Sequence, residues 1–397
     1  MPLYSPVKIL MSENSDSDKP KTNRRDFLSG KSALDAARDK LPDVDSADES
    51  LGGPSRLGIN DRQSNYVEQY SKNAMACEFE LLFNMHQYSQ SGAAAMSAFQ
   101  LIDDLEDQMT VYRNHSEVSQ LNLSAAKDWV QIEPRLYELL KLSSKINSET
   151  NRAFDITAGA LSKVWGFDKR SGSLPEESAI SDALGCVGMQ NIEFEDASSS
   201  IRFRSADVSI NLNGIGKGHA LDRVAELFES KSIGDFIIHG GQSSVLARGS
   251  SSPEVQRSGD PAEPNPDQAP GWEVGVSHPT LPGVRLGQYT LRSKSLGTSG
   301  TARQGFFHKG KRYGHIIDPR SGWPTGHVLS TTVVAKSAAV CDALATAFFV
   351  LPIEEVQAYC DSHDEVSAIL VEANPKVKSK VELHCFNVAQ EDWQLLV

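Results

Sequence analysis

The chain has 397 residues, 39% of them hydrophobic and 23% charged, and 52 acidic against 39 basic side chains leave a formal net charge of −13. That length covers one large or two ordinary domains with a real core, and the acidic balance argues against nucleic acid, whose phosphates need a basic face. Five scattered cysteines (Cys77, Cys186, Cys341, Cys360, Cys385) form no C-x-x-C pair and suggest neither a zinc site nor a disulfide framework, and no apolar run reaches the roughly 18 residues of a membrane span.

Residues 1–64 are rich in Ser, Asp, Lys, Asn and Pro, which predicts a disordered or loosely helical tail. Inside it Arg24-Arg-Asp-Phe-Leu28 resembles a twin-arginine export signal, but the polar stretch from Ser29 to Ser50 lacks the apolar segment such signals carry. A cytoplasmic location is therefore expected, with export through Arg24-Arg25 as the alternative. The remainder, 65–397, reads as one domain. Tyr66 to Tyr70 and Cys77 to Phe83 have strand character, and Ala93 to Met109 is apolar at helical spacing. Glu133-Pro134 opens a helix toward Thr150, with Pro at an early position where its missing N–H costs nothing. Val208 to Leu212 alternates as a strand, glycines follow, and His219 to Glu229 repeats as a helix. Residues 250–271 form a Pro-rich, polar stretch that predicts a surface insertion. Further strands are predicted at Asp235 to Ile238, Val274 to Val276, Thr290 to Arg292, Thr331 to Ala335 and Val366 to Val371. Lys309-Gly310 marks a hairpin turn between Phe306-Phe307 and Tyr313. Strands and helices without a strict βαβ period indicate an α+β fold.

Two segments carry chemistry. From Ala338 to Leu351 every side chain is apolar except Asp342 and Thr346, which sit four apart and so share one helix face. A buried carboxylate needs a cation, and a carboxylate beside a hydroxyl suits a hard ion such as Mg²⁺; the alternative is a Lys or Arg partner, with Thr346 back-bonded to its own helix. In the second segment Gly214, Gly216 and Gly218 would let backbone amides approach a phosphate at a helix start, with Lys217 adding a cation. Its spacing is neither G-x-G-x-x-G nor a P-loop, and a tight turn with an exposed Lys explains it equally.

These segments belong to an ordered series: Met75-Ala-Cys-Glu-Phe79, Tyr112-Arg-Asn-His-Ser-Glu-Val-Ser-Gln-Leu-Asn122, Ala153-Phe-Asp-Ile-Thr157, Leu161 to Phe167, Asn211-Leu-Asn-Gly-Ile-Gly-Lys-Gly-His-Ala-Leu-Asp222, Gly240-Gly241, Thr298-Ser-Gly300, His315-Ile-Ile-Asp-Pro-Arg-Ser-Gly-Trp-Pro324 and the Asp342/Thr346 helix. Over about Tyr66 to Phe349 the series resembles the FAD:protein FMN transferase (ApbE-type) family. The resemblance implies a mixed-sheet, T-fold-like architecture of two interlocked α/β halves with a flavin site between them. It also implies Mg²⁺ held by Asp342, Thr346 and the Gly214 carbonyl. FAD, as substrate, would meet Met75, Tyr112, Ala153, Phe154, Asp155, Asn211, Lys217 and Ile317. Tyr112 and Phe154 read equally as core aromatics. The chain departs from the pattern at Asn211, where relatives usually carry Asp, at Ala76-Cys77, where Gly-Thr is typical, and at Gln242, where Asp or Asn is common.

The implied reaction transfers the FMN moiety of FAD to a Thr or Ser hydroxyl of an acceptor protein and releases AMP. His315 is the candidate for relaying a proton, since imidazole titrates near neutrality, or else it ties down its loop. Asp318 reads as holding the Asp318-Pro-Arg-Ser-Gly322 turn. Hydrolysis of FAD to FMN and AMP, or flavin binding without chemistry, are the alternatives. Self-modification is not expected, because the nearest match to an Asp-x-x-(Ser/Thr)-Gly-Ala-(Ser/Thr) acceptor signature, Ser91-Gly-Ala-Ala94, lacks the acid and the final hydroxyl.

Overall fold

The computed structural model describes residues 67–169, 171–251, 270–300, 305–374 and 381–397. The expected tail, its Arg24-Arg25 pair and most of the 250–271 insertion lie outside the described residues. No helix among the described residues is long and apolar enough to cross a membrane.

In chain order the elements are strands β1 (Val67–Ala74) and β2 (Cys77–Asn84), helices α1 (Ser91–Met109) and α2 (Glu117–Ser124), β3 (Val130–Gln131), and helices α3 (Pro134–Glu149), α4 (Gly159–Val164) and α5 (Glu177–Leu184). Then come β4 (Ile192–Glu195), β5 (Ser200–Phe203), α6 (Gly216–Ser230), β6 (Phe236–Gly240), β7 (Ser244–Arg248), β8 (Trp272–Ser277), β9 (Arg285–Leu291) and β10 (Ser295–Gly300). The chain ends with β11 (Gly305–His308), β12 (Lys311–Gly314), β13 (Val328–Ala335), α7 (Ala338–Val350), α8 (Ile353–Ser362), β14 (Ser367–Ala373), β15 (Val381–Phe386) and β16 (Trp393–Leu395).

Eight strands form one sheet in the order β1-β2-β6-β7-β10-β13-β14-β15, and β16-β9-β8 form a second. The fold is α+β, as expected. Each ladder within these two sheets is antiparallel, so the mixing lies in helix and sheet rather than in strand direction. Alternation along the strands builds two cores. Phe79, Leu81, Ile238, Leu246, Val333 and Leu370 face the helices α1, α6 and α7. Leu82, Ile237, Val245, Leu296, Val334 and Ile369 face Trp272, Val274 and Tyr289 of the second sheet. A third cluster gathers around Trp165 and Phe167.

Local signals account for several elements. Glu133 caps α3 by accepting the N–H groups of Arg135 and Leu136, with Pro134 in the first turn. Lys309 and Gly310 turn the β11–β12 hairpin with φ of 47° and 80°, the left-handed pair such turns demand. The strand expected at Val208 to Leu212 is absent. Its residues alternate in burial as a strand would, but Asn122 takes the place of a neighbouring strand: its side chain donates to the Ile210 carbonyl at 2.9 Å and accepts the Ile210 N–H at 2.7 Å. A side-chain amide thus satisfies backbone that would otherwise need a ladder. The three-stranded sheet β3-β5-β4 carries no pattern strong enough to predict it.

Candidate active site

A cavity of about 490 Å³ opens where the ends of β8 and β10 and the middle of α7 meet the start of α6 and the loops at 153–159 and 315–319. Its wall contains Tyr112, Ala153, Phe154, Asp155, Asn211, Gly214, Lys217, His315, Ile317, Asp342 and Thr346. Of the residues expected around the flavin and metal, only Met75 is not among those lining this cavity. Met75 and Ala76 form the two-residue β1–β2 turn, with φ of 47° and 58°. The Met75 N–H is tied to the Glu106 carboxylate at 2.8 Å, and its side chain packs against the helical core.

Asp342 lies in the middle of a helix buried on all sides because it passes between β10, β13 and α6. Its Oδ2 accepts the Gly218 N–H at 2.8 Å and its Oδ1 accepts the Ser244 hydroxyl at 2.7 Å. Burial pushes its pKa up; the nearby Lys217 ammonium and these two hydrogen bonds pull the other way. Among the described residues no basic side chain approaches Asp342 closely enough for an ion pair at 4.0 Å. Thr346 donates to the Asp342 carbonyl one turn back at 3.1 Å and lies 3.3 Å from the Ser299 hydroxyl. A methyl group placed on Gly214 would sit 3.8 Å from Thr346 Oγ1. A carboxylate with free lone pairs and a hydroxyl thus line one wall beside the backbone of Gly214, oxygen donors of the kind that a hard divalent cation takes.

The glycines of the Asn211 segment do something other than cradle phosphate. Gly216 is buried against the Met109 side chain, and Gly218 is buried where a Cβ would collide with the backbone of Ala338 and Ala339. Gly216 lets α6 pack on Met109 of α1, Gly218 lets α6 touch α7, and the Gly218 amide is spent on Asp342. Gly214 and Lys217 line the cavity, together with Asn211 and Asn213 just before them. Asn211 accepts the Asn213 N–H at 3.0 Å, holding the turn into Gly214. Asn performs that task without the charge Asp would bring.

Asp155 is held by Thr157 and Asn147, and burial raises its pKa. Asp318 accepts three bonds from Arg320, each at 2.9 Å, so its carboxylate holds the turn. The departures Ala76 and Gln242 both occupy left-handed backbone, with φ of 58° and 63°. Gly, Asn and Asp tolerate that region better than Ala or Gln, which accounts physically for the residue types common there.

Sequence reading missed His278. It is 8% exposed at the cavity wall, in the loop after β8, and its Nδ1 accepts the N–H groups of Thr280 and Leu281 at 3.2 Å each. The proton of the neutral ring therefore sits on Nε2. No spacing signal distinguishes this histidine in the chain. Another group with ligand-type atoms, Glu372, Glu382 and His384, lies on β14 and β15 and is internally bonded, His384 to Glu372 at 2.9 Å and Asn374 to Glu382 at 2.8 Å.

The ApbE family model matches residues 75–370, which takes in every wall residue named above. The chain belongs to the ApbE family. A Klebsiella pneumoniae protein named FAD:protein FMN transferase is 27% identical over 308 residues, covering 77% of this chain and 90% of that one. A Treponema pallidum protein of the same name is 26% identical over 327 residues, covering 79% and 87%. The fold is similar to that of the Pseudomonas stutzeri flavinyl transferase ApbE in its apo form, with a TM-score of 0.67, 22% identity and 81% and 98% coverage. The ApbE protein of Thermotoga maritima gives 0.66, 24%, 77% and 94%.

Proposed function

We propose that this member of the ApbE family is an FAD:protein FMN transferase that depends on Mg²⁺ and modifies a Thr or Ser hydroxyl of a separate acceptor protein. What carries the reading is the meeting of Asp342, Thr346, Gly214 and Lys217 on one wall of a cavity large enough for much of a dinucleotide. In the proposed step the acceptor hydroxyl oxygen bonds to the FMN phosphorus, the pyrophosphate P–O bond breaks, AMP leaves with the bridging oxygen, and the hydroxyl proton passes to a base.

Asp342, Thr346 and the Gly214 carbonyl would hold the Mg²⁺, which when bound offsets the charge of the pyrophosphate. Lys217 contributes a second positive charge at the same wall, and its ammonium is near enough to lower the cost of an ionised Asp342. His315, in the 315–319 loop of the same cavity, would take the hydroxyl proton. Phe154 and Ile317 supply apolar wall for the ring system, and half of Tyr112 or more is exposed at the mouth.

The test mixes protein, FAD, Mg²⁺ and an acceptor carrying the Asp-x-x-(Ser/Thr)-Gly-Ala-(Ser/Thr) signature and follows in-gel flavin fluorescence on the acceptor. The wild type should label it, and Asp342→Ala should lose at least about 100-fold in rate while keeping a cooperative unfolding transition. Full labelling by folded Asp342→Ala rejects the metal assignment. AMP released at the same rate without acceptor would instead make the protein a hydrolase.

A further inference from the structure

Helix α7 begins with Ser337 as a local cap, whose hydroxyl accepts the Val340 N–H at 3.3 Å. Two further N-terminal amides of α7 are taken by a residue 116 or more positions away in sequence. Asp222 of α6 accepts the Ala338 N–H at 2.8 Å and the Ala339 N–H at 3.0 Å, and it also accepts the Ser337 hydroxyl at 2.6 Å. One carboxylate therefore satisfies a helix start that belongs to another helix, where the positive end of the helix dipole favours it.

The spacing gives this contact a purpose. Gly218 and Asp222 lie four apart on α6, so they share one face; Ala338 and Asp342 lie four apart on α7 and share another. The two faces meet at two points one turn apart. Gly218 N–H holds the Asp342 carboxylate, and Asp222 holds the amides around Ala338. No Cβ separates the helices at Gly218, whose Cα faces the Ala338 carbonyl. A slide of α7 by one residue, about 1.5 Å along its axis, would break the three Asp222 bonds and carry Asp342 away from Gly218. Neither contact alone fixes both the depth and the rotation of α7.

We infer that Asp222 is a positioning residue that sets where the Asp342 carboxylate stands at the cavity wall, and so governs divalent-cation affinity without touching the cation. The inference rests on the transferase reading for what the cation does, but the clamp itself is independent of it. Asp222 is isolated from solvent enough for burial to raise its pKa, against the bonds from Ser337, Ala339 and Ala338. Such outer partners of a metal ligand are commonly worth about 10–100-fold in affinity.

The experiment compares wild type, Asp222→Asn and, as a control, Glu133→Gln, which weakens the cap of α3 away from the cavity. Amide hydrogen exchange over residues 337–342 is measured without ligands, and Mg²⁺ affinity is measured by calorimetry on the FAD-loaded protein. Asp222→Asn should speed exchange in that segment and weaken Mg²⁺ binding by about 10–100-fold, while FAD affinity in EDTA changes by less than about threefold. Glu133→Gln should lower thermal stability and leave Mg²⁺ affinity alone, a split that a merely structural Asp222 would not reproduce. If Asp222→Asn does not fold, Ser337→Ala, which removes one of the three bonds, should give the same two changes at smaller size. Unchanged exchange and unchanged Mg²⁺ affinity in a folded variant overturn the inference. Faster exchange in a protein whose wild type binds neither FAD nor Mg²⁺ overturns the transferase reading and leaves the clamp without a cation to govern, which overturns the inference as stated.

Discussion

The two walls of the cavity are built by different physics. On the α6–α7 side, two helices lie in backbone contact and the carboxylates of Asp222 and Asp342 each hold at least two directed hydrogen bonds. Elsewhere around the cavity, the segments that carry Phe167 and Ile317 rest on an aromatic plug. Trp165 is fully buried, stacks on Phe167 with centroids 6.4 Å apart, packs against Tyr313 at 5.6 Å and Trp323 at 5.3 Å, and donates its indole N–H to the Gly322 carbonyl at 2.9 Å. Dispersion and burial are nearly directionless, so they support a wall for a flat apolar ring. Charge neutralisation depends on angle and distance, and the wall that would face phosphate is held by short, charge-assisted bonds.

That contrast can be broken from either side. Trp165→Ala should cost about 3–5 kcal/mol, read as a lower midpoint in denaturant, and should weaken FAD binding while sparing Mg²⁺ affinity; an unchanged midpoint would show that the plug does not support its wall. Gly218→Ala should cost about 1–3 kcal/mol by forcing the helices apart, and here Mg²⁺ affinity should fall with stability. If it falls in Trp165→Ala as well, the walls are not separable.

A pH series sharpens the helix side. Burial lowers the pKa of His219 on α6 from 6.5 to about 4, with Glu226 and Glu133 opposing the shift and Arg135 adding to it. Because the folded value is depressed, the unfolded chain binds the proton first as pH drops. Stability from this group is complete above about 6.5, and it is lost as pH falls toward 4. His219→Gln should remove on the order of 1 kcal/mol of that acid loss, allowing for solvent screening. Smallest of all, Ala76→Gly and Gln242→Asn should each gain up to about 1 kcal/mol by relieving left-handed strain, measured as a higher thermal midpoint. A loss at either position would mean the native side chain makes compensating contacts.

Much of the site was legible in the chain because its signals are local. The four-residue interval between Asp342 and Thr346, the apolar rest of that helix and the Lys309-Gly310 turn depend only on helical and hairpin geometry, which neighbours in sequence determine. The order of motifs placed the wall residues in one family pattern. Met75 alone of that set does not line the cavity: its motif marks a left-handed turn whose side chain packs on the core, and a motif records a position without saying what the side chain touches.

The sequence by itself determined which segments alternate or coil, which helix face carries oxygen, and that the overall class is α+β. Tertiary structure alone decided that Asn122 replaces a ladder for Val208 to Leu212, that Gly216 and Gly218 serve packing between helices, that Asp222 caps a distant helix, and that His278 reaches the cavity. Each of these depends on a partner roughly 90 to 120 residues away or on another sheet, and the entropy of closing such loops grows too slowly with length to favour one partner over another. Packing chooses among them, and packing is a property of the assembled chain.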